Sequence, residues 1–309
     1  MEHLHYPSAG GIHTVHACLW SPRTQPRGVI QIIHGMEEYA ARYAPFAETA
    51  AAQGFLVCAE DHLGHGETAH TPDGGPEFGH FPQNGKNLIL QDIAALTEHA
   101  AARAPDKPYF LLGHSMGSFF CRVVLARSRR PFAGAVIMGT GYKNKAVLTA
   151  AAALTGCTGI IRGWKHKSPV LQRLVFGSYN RKFGGRPGGL EWLSADAANV
   201  QAYAGDPLCG FGFTCGGLAG LFSVIREACD RRTFAATDRK LPVFLVAGED
   251  DPVGGFGAGV KKVAEKYKKA GLENVSLKLY PGARHEILND ICAQEASADI
   301  LSFFSGIAK

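Results

Sequence analysis

The chain predicts an α/β fold: a mostly parallel, doubly wound sheet with helices on both faces, interrupted once by an inserted helical segment. Three observations carry this. Apolar runs of strand length alternate with helical stretches through residues 12–140 and again through 239–309, the rhythm that builds parallel sheets from strand–helix–strand units. Between about 141 and 238 the rhythm breaks, with no buried-strand pattern and helical pieces cut by Gly184-Gly-Arg-Pro-Gly-Gly189, Asp206-Pro207 and Gly216-Gly217. Finally, Gly113-His114-Ser115-Met116-Gly117 follows the apolar run Pro108 to Leu112 and opens a long helical stretch. A serine so placed sits on a sharp strand-to-helix turn that lifts its hydroxyl clear of the sheet, and the flanking glycines let the two backbones crowd together.

The elements follow in order. Residues 12–20 alternate as a strand, and Pro22 to Pro26 form a turn before the buried strand Gly28 to His34. Glu38 to Gln53 reads as a helix closed by Gly54, since glycine enters the left-handed conformation that ends helices. Phe55 to Ala59 is the next strand, ending near Asp61, and a loop rich in Gly, His and Pro runs to about residue 84. A helix covers roughly 85–103; the strand at 108–112, its helix at about 116–129 and a strand at 133–139 come next. Toward the C-terminus lie strand Pro242 to Ala247, helix 256–270 with Gly271 as its cap, strand 274–280 and a last helix from about 286 to 305. Residues 1–140 and 239–309 are therefore expected to form one core, with 141–238 inserted above the carboxyl edge of the sheet, where the loops of such folds build active sites.

Composition suits a globular domain with a sizeable core: of 309 residues, 46% are hydrophobic and 19% charged. The net charge of +5 is mild, and the basic clusters Arg127/Arg129/Arg130 and Lys261-Lys262/Lys268-Lys269 read as solvated helix faces. No nucleic-acid partner is inferred. The eight cysteines include no Cys-x-x-Cys pair and no metal-type spacing with histidine, which fits reduced, buried thiols. With no basic segment leading into an apolar one at the start, a cytoplasmic location is expected. The uncharged stretch Ala146 to Ile161 has 16 residues, among them two Gly and three Thr, too short and too polar to span a bilayer.

A serine hydroxyl needs a neighbouring base, itself oriented by a carboxylate. After a serine on a strand–helix turn, the partners are expected in the order acid, then histidine, on loops at strand ends. Asp250-Asp251-Pro252 lies just after the strand Val243 to Ala247, and His285 just after Val275 to Tyr280. Asp250 and Asp251 compete for the orienting role; Asp251, immediately before the Pro-Val turn, is favoured. Among 13 histidines, His285 alone combines this chain order with a post-strand loop. The tetrahedral intermediate needs backbone N–H donors, expected from Met116, after the serine, and from Met36 in the loop His34-Gly35-Met36. His34 reads as a loop-packing residue. The spacing His62-x-x-His65 admits a zinc reading, but a structural turn fits better, and no metal or cofactor is expected. His3, His5, His13 and His16 read as surface strand residues.

His34-Gly-Met-Glu-Glu-Tyr-Ala-Ala-Arg-Tyr43, Asp61-His-Leu-Gly-His-Gly66, Gly113-His-Ser-Met-Gly117 and Gly282-Ala-Arg-His285 stand in the order seen in monoacylglycerol lipases. On these motifs the chain resembles the monoglyceride lipase/lysophospholipase branch of the α/β-hydrolases, the serine aminopeptidase S33-like group. The resemblance implies the α/β-hydrolase fold with a helical cap at 141–238, Ser115 as nucleophile, Asp251 and His285 as its partners, and Met36 and Met116 as oxyanion donors. It implies cleavage of acyl esters of glycerol or glycerophospholipids. The chain departs from the lipase pattern at Tyr39, where histidine is common, and at Glu37, where glycine is common. Its cap segments Phe176 to Asn180 and Asp206 to Gly210 are closer to other bacterial relatives, and caps set substrate choice.

The apolar stretch Ala146 to Ile161 supports two readings: a helix that lines an acyl pocket or touches a lipid surface, or an ordinary packed helix. A carboxylesterase of small molecules, and an aminopeptidase in which Glu37 or Glu38 captures the substrate amine, are the alternatives in chemistry. A catalytically silent, ligand-binding homologue is the alternative in class.

Overall fold

The apolar runs of the sequence pair into one eight-stranded sheet. The computed structural model describes residues 1–72, 74–184 and 189–308, so most of the glycine-rich interruption at 184–189 lies outside the described residues. The strands are β1 (Glu2–Pro7), β2 (Thr14–Trp20), β3 (Gly28–Ile33), β4 (Phe55–Glu60), β5 (Tyr109–His114), β6 (Gly134–Met138), β7 (Val243–Gly248) and β8 (Val275–Tyr280), in the order β1-β2-β4-β3-β5-β6-β7-β8. β1/β2 and β2/β4 are antiparallel; every other pair is parallel. All residues of β3 to β7 are buried, as expected where helices cover both faces of a parallel sheet. The fold is that of the α/β-hydrolases.

The helices are α1 (Ala44–Ala52), α2 (Gly85–Arg103), α3 (Met116–Arg127), α4 (Lys145–Arg162), α5 (Pro169–Phe176), α6 (Ala197–Gly205), α7 (Cys215–Ala228), α8 (Arg231–Ala236), α9 (Ala258–Lys269) and α10 (Ala293–Ile307). Alternation along the strands divides the core in two. Phe46 and Phe304, from α1 and α10, pack with Ile30, Phe110 and Val246 on one face. Leu96, Phe120 and Val263, from α2, α3 and α9, pack with Val29, Leu111 and Leu245 on the other.

Between β6 and β7 the described residues hold α4 to α8 and no strand. α7 and α8 are not raised above the sheet domain. Leu218, Leu221 and Val224 of α7 and Phe234 of α8 belong to its core, and the fully buried Arg122 of α3 donates to the carbonyls of Gly141 and Ala228.

Three expectations are corrected. The helix expected from Glu38 begins later: residues Ala40–Tyr43 form a 3₁₀ turn and α1 starts at Ala44, because Glu38 spends its side chain on the backbone N–H of Gly35. The helix expected from 286 starts at Ala293. Asp290 interrupts it by accepting backbone N–H groups of Arg284 and Ala195 at 2.6 and 2.8 Å, partners that continuing the helix would deny it. His13 and His16 are buried rather than on the surface; the loop after β4 lies over His16, Thr68 Oγ1 accepting its backbone N–H and Asp61 standing 2.7 Å from its ring. All eight cysteines are free. Among the described residues no helix is long and apolar enough to cross a membrane.

Candidate active site

β5 runs straight into the turn that carries Ser115. The serine adopts φ 51° and ψ −118°, outside the regions a side chain ordinarily takes, and α3 begins at the next residue. Such strain persists only where the surroundings over-determine it, and glycine supplies the room. A Cβ on Gly113 would stand 2.6 Å from Cys121 Cβ, and one on Gly117 would overlap the carbonyls of Ile33 and His34.

Two loops from distant parts of the chain meet this hydroxyl. His285, after β8, places Nε2 2.7 Å from Ser115 Oγ. Asp251, after β7, places Oδ2 3.0 Å from His285 Nδ1. The last contact is off hydrogen-bond alignment, a looseness common in catalytic groups before substrate binds. Asp251 is fully buried and its other oxygen accepts the Val253 N–H at 2.8 Å. Asp250 instead pairs with Lys182 near the surface. The structure thus brings together Ser115, His285 and Asp251, and leaves Asp250 out.

Met36 and Met116 both line the cavity that opens onto Ser115. The Met36 N–H donates no hydrogen bond among the described residues. Gly35 is required there for proximity, not for a turn: a Cβ on it would collide with the Glu38 carboxylate and come 3.1 Å from Ser115 Cβ. The cavity holds about 350 Å³ and is mostly apolar, with Leu148, Leu171, Leu221 and Phe222 among its walls, a size and character suited to a small-molecule substrate.

The Hydrolase_4 family model, described as serine aminopeptidase, S33, matches residues 24–291. The chain belongs to this family. It is similar to a monoacylglycerol lipase of Mycolicibacterium smegmatis, 30% identical over 300 residues that cover 92% of this chain and 90% of that one. It is similar also to human monoglyceride lipase, 26% identical over 88% of this chain and 80% of the relative. Among solved structures, a thermostable carboxyl esterase from Bacillus coagulans, in complex with glycerol, superposes with a TM-score of 0.92 at 28% identity, over 100% of this chain and 99% of that one.

In this S33-family member the loop carrying Met36 is held by a network that the sequence alone did not indicate. Glu38 Oε1 accepts from Gly35 N–H at 2.6 Å and from Tyr43 Oη at 2.8 Å, and lies 2.8 Å from His114 Nδ1. Arg42 forks onto Glu286 at 2.7 and 2.9 Å and reaches Glu38 at 3.2 Å. Burial alone would raise the Glu38 carboxyl; His114 and Arg42 outweigh it and hold the carboxyl well below the usual range. Burial opposes charging His114, yet Glu38 raises its pKa above the ordinary value. The available signal was positional: Arg42 lies within a family motif, and Glu286 adjoins His285.

Glu37, the departure from the family's glycine, has φ 59°, the left-handed region that glycine enters without cost. Its carbonyl accepts from Tyr203 Oη and Gly210 N–H, and Tyr39 Oη donates to Asp206 at 2.8 Å, so both departures tie this loop to the inserted helices. The Glu37 side chain lines the cavity, Oε1 is buried without a partner, and burial pushes its carboxyl up to about 7. Trp192 lies 5.2 Å from His285, ring centre to ring centre, another neighbour with no motif to announce it.

His34, His62 and His65 form a stacked, buried group, His34 and His62 lying 4.0 Å apart by ring centres. Burial holds His62 and His65 down to about 4 and 3, neutral at ordinary pH. His34 Nε2 accepts the backbone N–H of His62 at 3.0 Å, so these rings pack the turn.

Proposed function

We propose that this protein is a serine carboxylic-ester hydrolase that cleaves monoacylglycerol or lysophospholipid-type acyl esters through an acyl-serine intermediate. Ser115 Oγ attacks the ester carbonyl while His285 Nε2 takes the hydroxyl proton. Asp251 holds the imidazole in the tautomer that leaves Nε2 free to accept. The N–H groups of Met36 and Met116 receive the negative charge that develops on the carbonyl oxygen. His285 then protonates the departing alcohol, and a water molecule, deprotonated by His285 in turn, releases the acid.

The observation that carries this reading is the chain of contacts from Ser115 through His285 to Asp251, at 2.7 and 3.0 Å, at the foot of a mostly apolar cavity. The similarity to monoacylglycerol lipases supports the acyl-ester substrate. The aminopeptidase alternative needs a free carboxylate to capture an amine. Glu38 is fully engaged, and Glu37 stays largely protonated up to about neutral pH, which favours an ester over an amine. No step requires a cofactor.

Of the helices inserted between β6 and β7, α4 to α6 act as a cap, α4 and α5 forming its lipid-facing side. Val147, Leu154 and Leu174 are 65%, 44% and 65% exposed yet also line the cavity. Ile160 and Ile161, each 78% exposed, extend the same apolar surface. A soluble protein rarely leaves so many large apolar side chains on neighbouring helices without a use, and contact with a lipid aggregate would cover them and deliver the acyl chain to the mouth. Covalent labelling by a fluorophosphonate, present in the wild type and absent in Ser115→Ala, tests the nucleophile; no labelling of the wild type would sink the reading.

A further inference from the structure

The edge of the sheet gathers a second set of reactive side chains that the hydrolase chemistry does not use. β1 and β2 pair with His5 opposite His16 and His3 opposite Cys18. Because side chains alternate along strands, these four share one face. The 3₁₀ turn Gly66–Ala69, after β4, carries Glu67 to the same place. His3 Nδ1 stands 2.8 Å from His16 Nε2, and the Glu67 carboxylate stands 3.7 Å from His16 Nε2 and 3.8 Å from His5 Nε2.

His16 is the buried centre of the group, 3% exposed, and it is held from behind. Asp61 Oδ2 lies 2.7 Å from His16 Nδ1, while Asp61 itself accepts the N–H groups of Ala40 and Glu67. With Nδ1 held by Asp61, Nε2 is the ring nitrogen that faces His3 and Glu67. A carboxylate behind an imidazole in this way is the support that metal-ligating histidines ordinarily have.

We propose that His5, His16 and Glu67, whose ligand atoms all lie within 4.8 Å of one another, bind one divalent transition-metal ion of the zinc type. Two ligands about 2.0–2.1 Å from a tetrahedral ion stand roughly 3.3 Å from each other, and the Glu67 carboxylate, 3.7 Å from His16 Nε2 and 3.8 Å from His5 Nε2, is close to that separation. Entry of the ion displaces His3 from its contact with His16 Nε2. His3, His5 and Glu67 are exposed, which leaves a path in. Imidazole-rich donor sets select zinc, nickel, cobalt or copper over calcium or magnesium. The bound ion would tie His5 of the edge strand and His16 of its neighbour to Glu67 of the loop after β4.

The test uses untagged protein stripped with a chelator and titrated calorimetrically with zinc chloride. One saturable site per chain is expected, with an intense visible band on cobalt substitution and a rise in Tm on adding zinc. The double variant His3→Gln/His5→Gln, whose changes are exposed, should weaken zinc binding at least tenfold and lose the Tm rise, with hydrolysis of a soluble ester unchanged. His99→Gln should match the wild type. No saturable binding by the wild type, or undiminished binding by His3→Gln/His5→Gln, would overturn the proposal. Neither outcome bears on Ser115.

Discussion

Glu38 and His114 meet at 2.8 Å inside the protein, each 3% exposed, and their contact joins the loop of Met36 to the residue immediately before Ser115. The two segments that would cradle an oxyanion are thereby fixed against each other by charge. Glu38→Gln removes that charge and leaves His114 and Arg42 without their shared partner. Loss of one member of a buried pair costs about 3–5 kcal/mol, so urea unfolding should show a drop of that order, and kcat should fall more than KM changes. The pH dependence follows from the two shifts. Glu38, held low, contributes stability above its unfolded value of about 4.3 that is lost as pH falls toward its folded value. His114, held high, contributes stability below about 6.5 that is lost as pH rises through its folded value. Both contributions should be lost in Glu38→Gln, where burial presses the unpartnered His114 in the opposite direction.

Asp251→Asn should lower kcat on a soluble ester by about 10⁴-fold, because the amide favours the wrong imidazole tautomer. Asp250→Asn should leave kcat within a few fold, since its partner is Lys182 and not His285. Steady-state kinetics on both variants would reveal a reversed ranking at once.

Glu37→Gln should stabilise the protein selectively at alkaline pH. With the folded carboxyl pushed up to about 7, the folded state holds a proton that the unfolded chain releases above about 4.3, so wild-type stability falls as pH rises through that window. The glutamine has no proton to lose. The difference in Tm between variant and wild type should therefore grow from pH 5 to pH 8; a constant difference would contradict the burial argument.

Ile160→Asp/Ile161→Asp should spare hydrolysis of a short soluble ester, because both side chains face outward at 78% exposure. On monoacylglycerol presented in vesicles the same variant should lose most of its activity, together with its sedimentation with the vesicles. Equal loss on both substrates would mean that the surface serves the fold and not the lipid.

How much of this was legible in the sequence depended on the range of the interaction. Ser115 was legible because its constraints are local: a strand, two glycines that nothing larger could replace, and a helix. His285 and Asp251 were legible by position, since topology delivers strand ends to one edge, although only the fold separates Asp251 from Asp250. His16 was misjudged because a strand pattern reports alternation, not what a later loop lays over it. Glu38 and Arg42 share one segment, but His114 and Glu286 come from two others, and no spacing along the chain encodes their meeting. The segment 141–238 was legible as helical, but the packing of α7 and α8 into the main core depends on Arg122, a charged residue buried by partners 19 and 106 positions away.

The most direct test is hydrolysis of a p-nitrophenyl ester series of increasing chain length, run beside a monoacylglycerol, a lysophospholipid and alanine p-nitroanilide, with Ser115→Ala as the blank. The account predicts serine-dependent cleavage of the longer esters and of monoacylglycerol, and none of the anilide. Cleavage of the anilide alone, or ester cleavage that persists in Ser115→Ala, would contradict it.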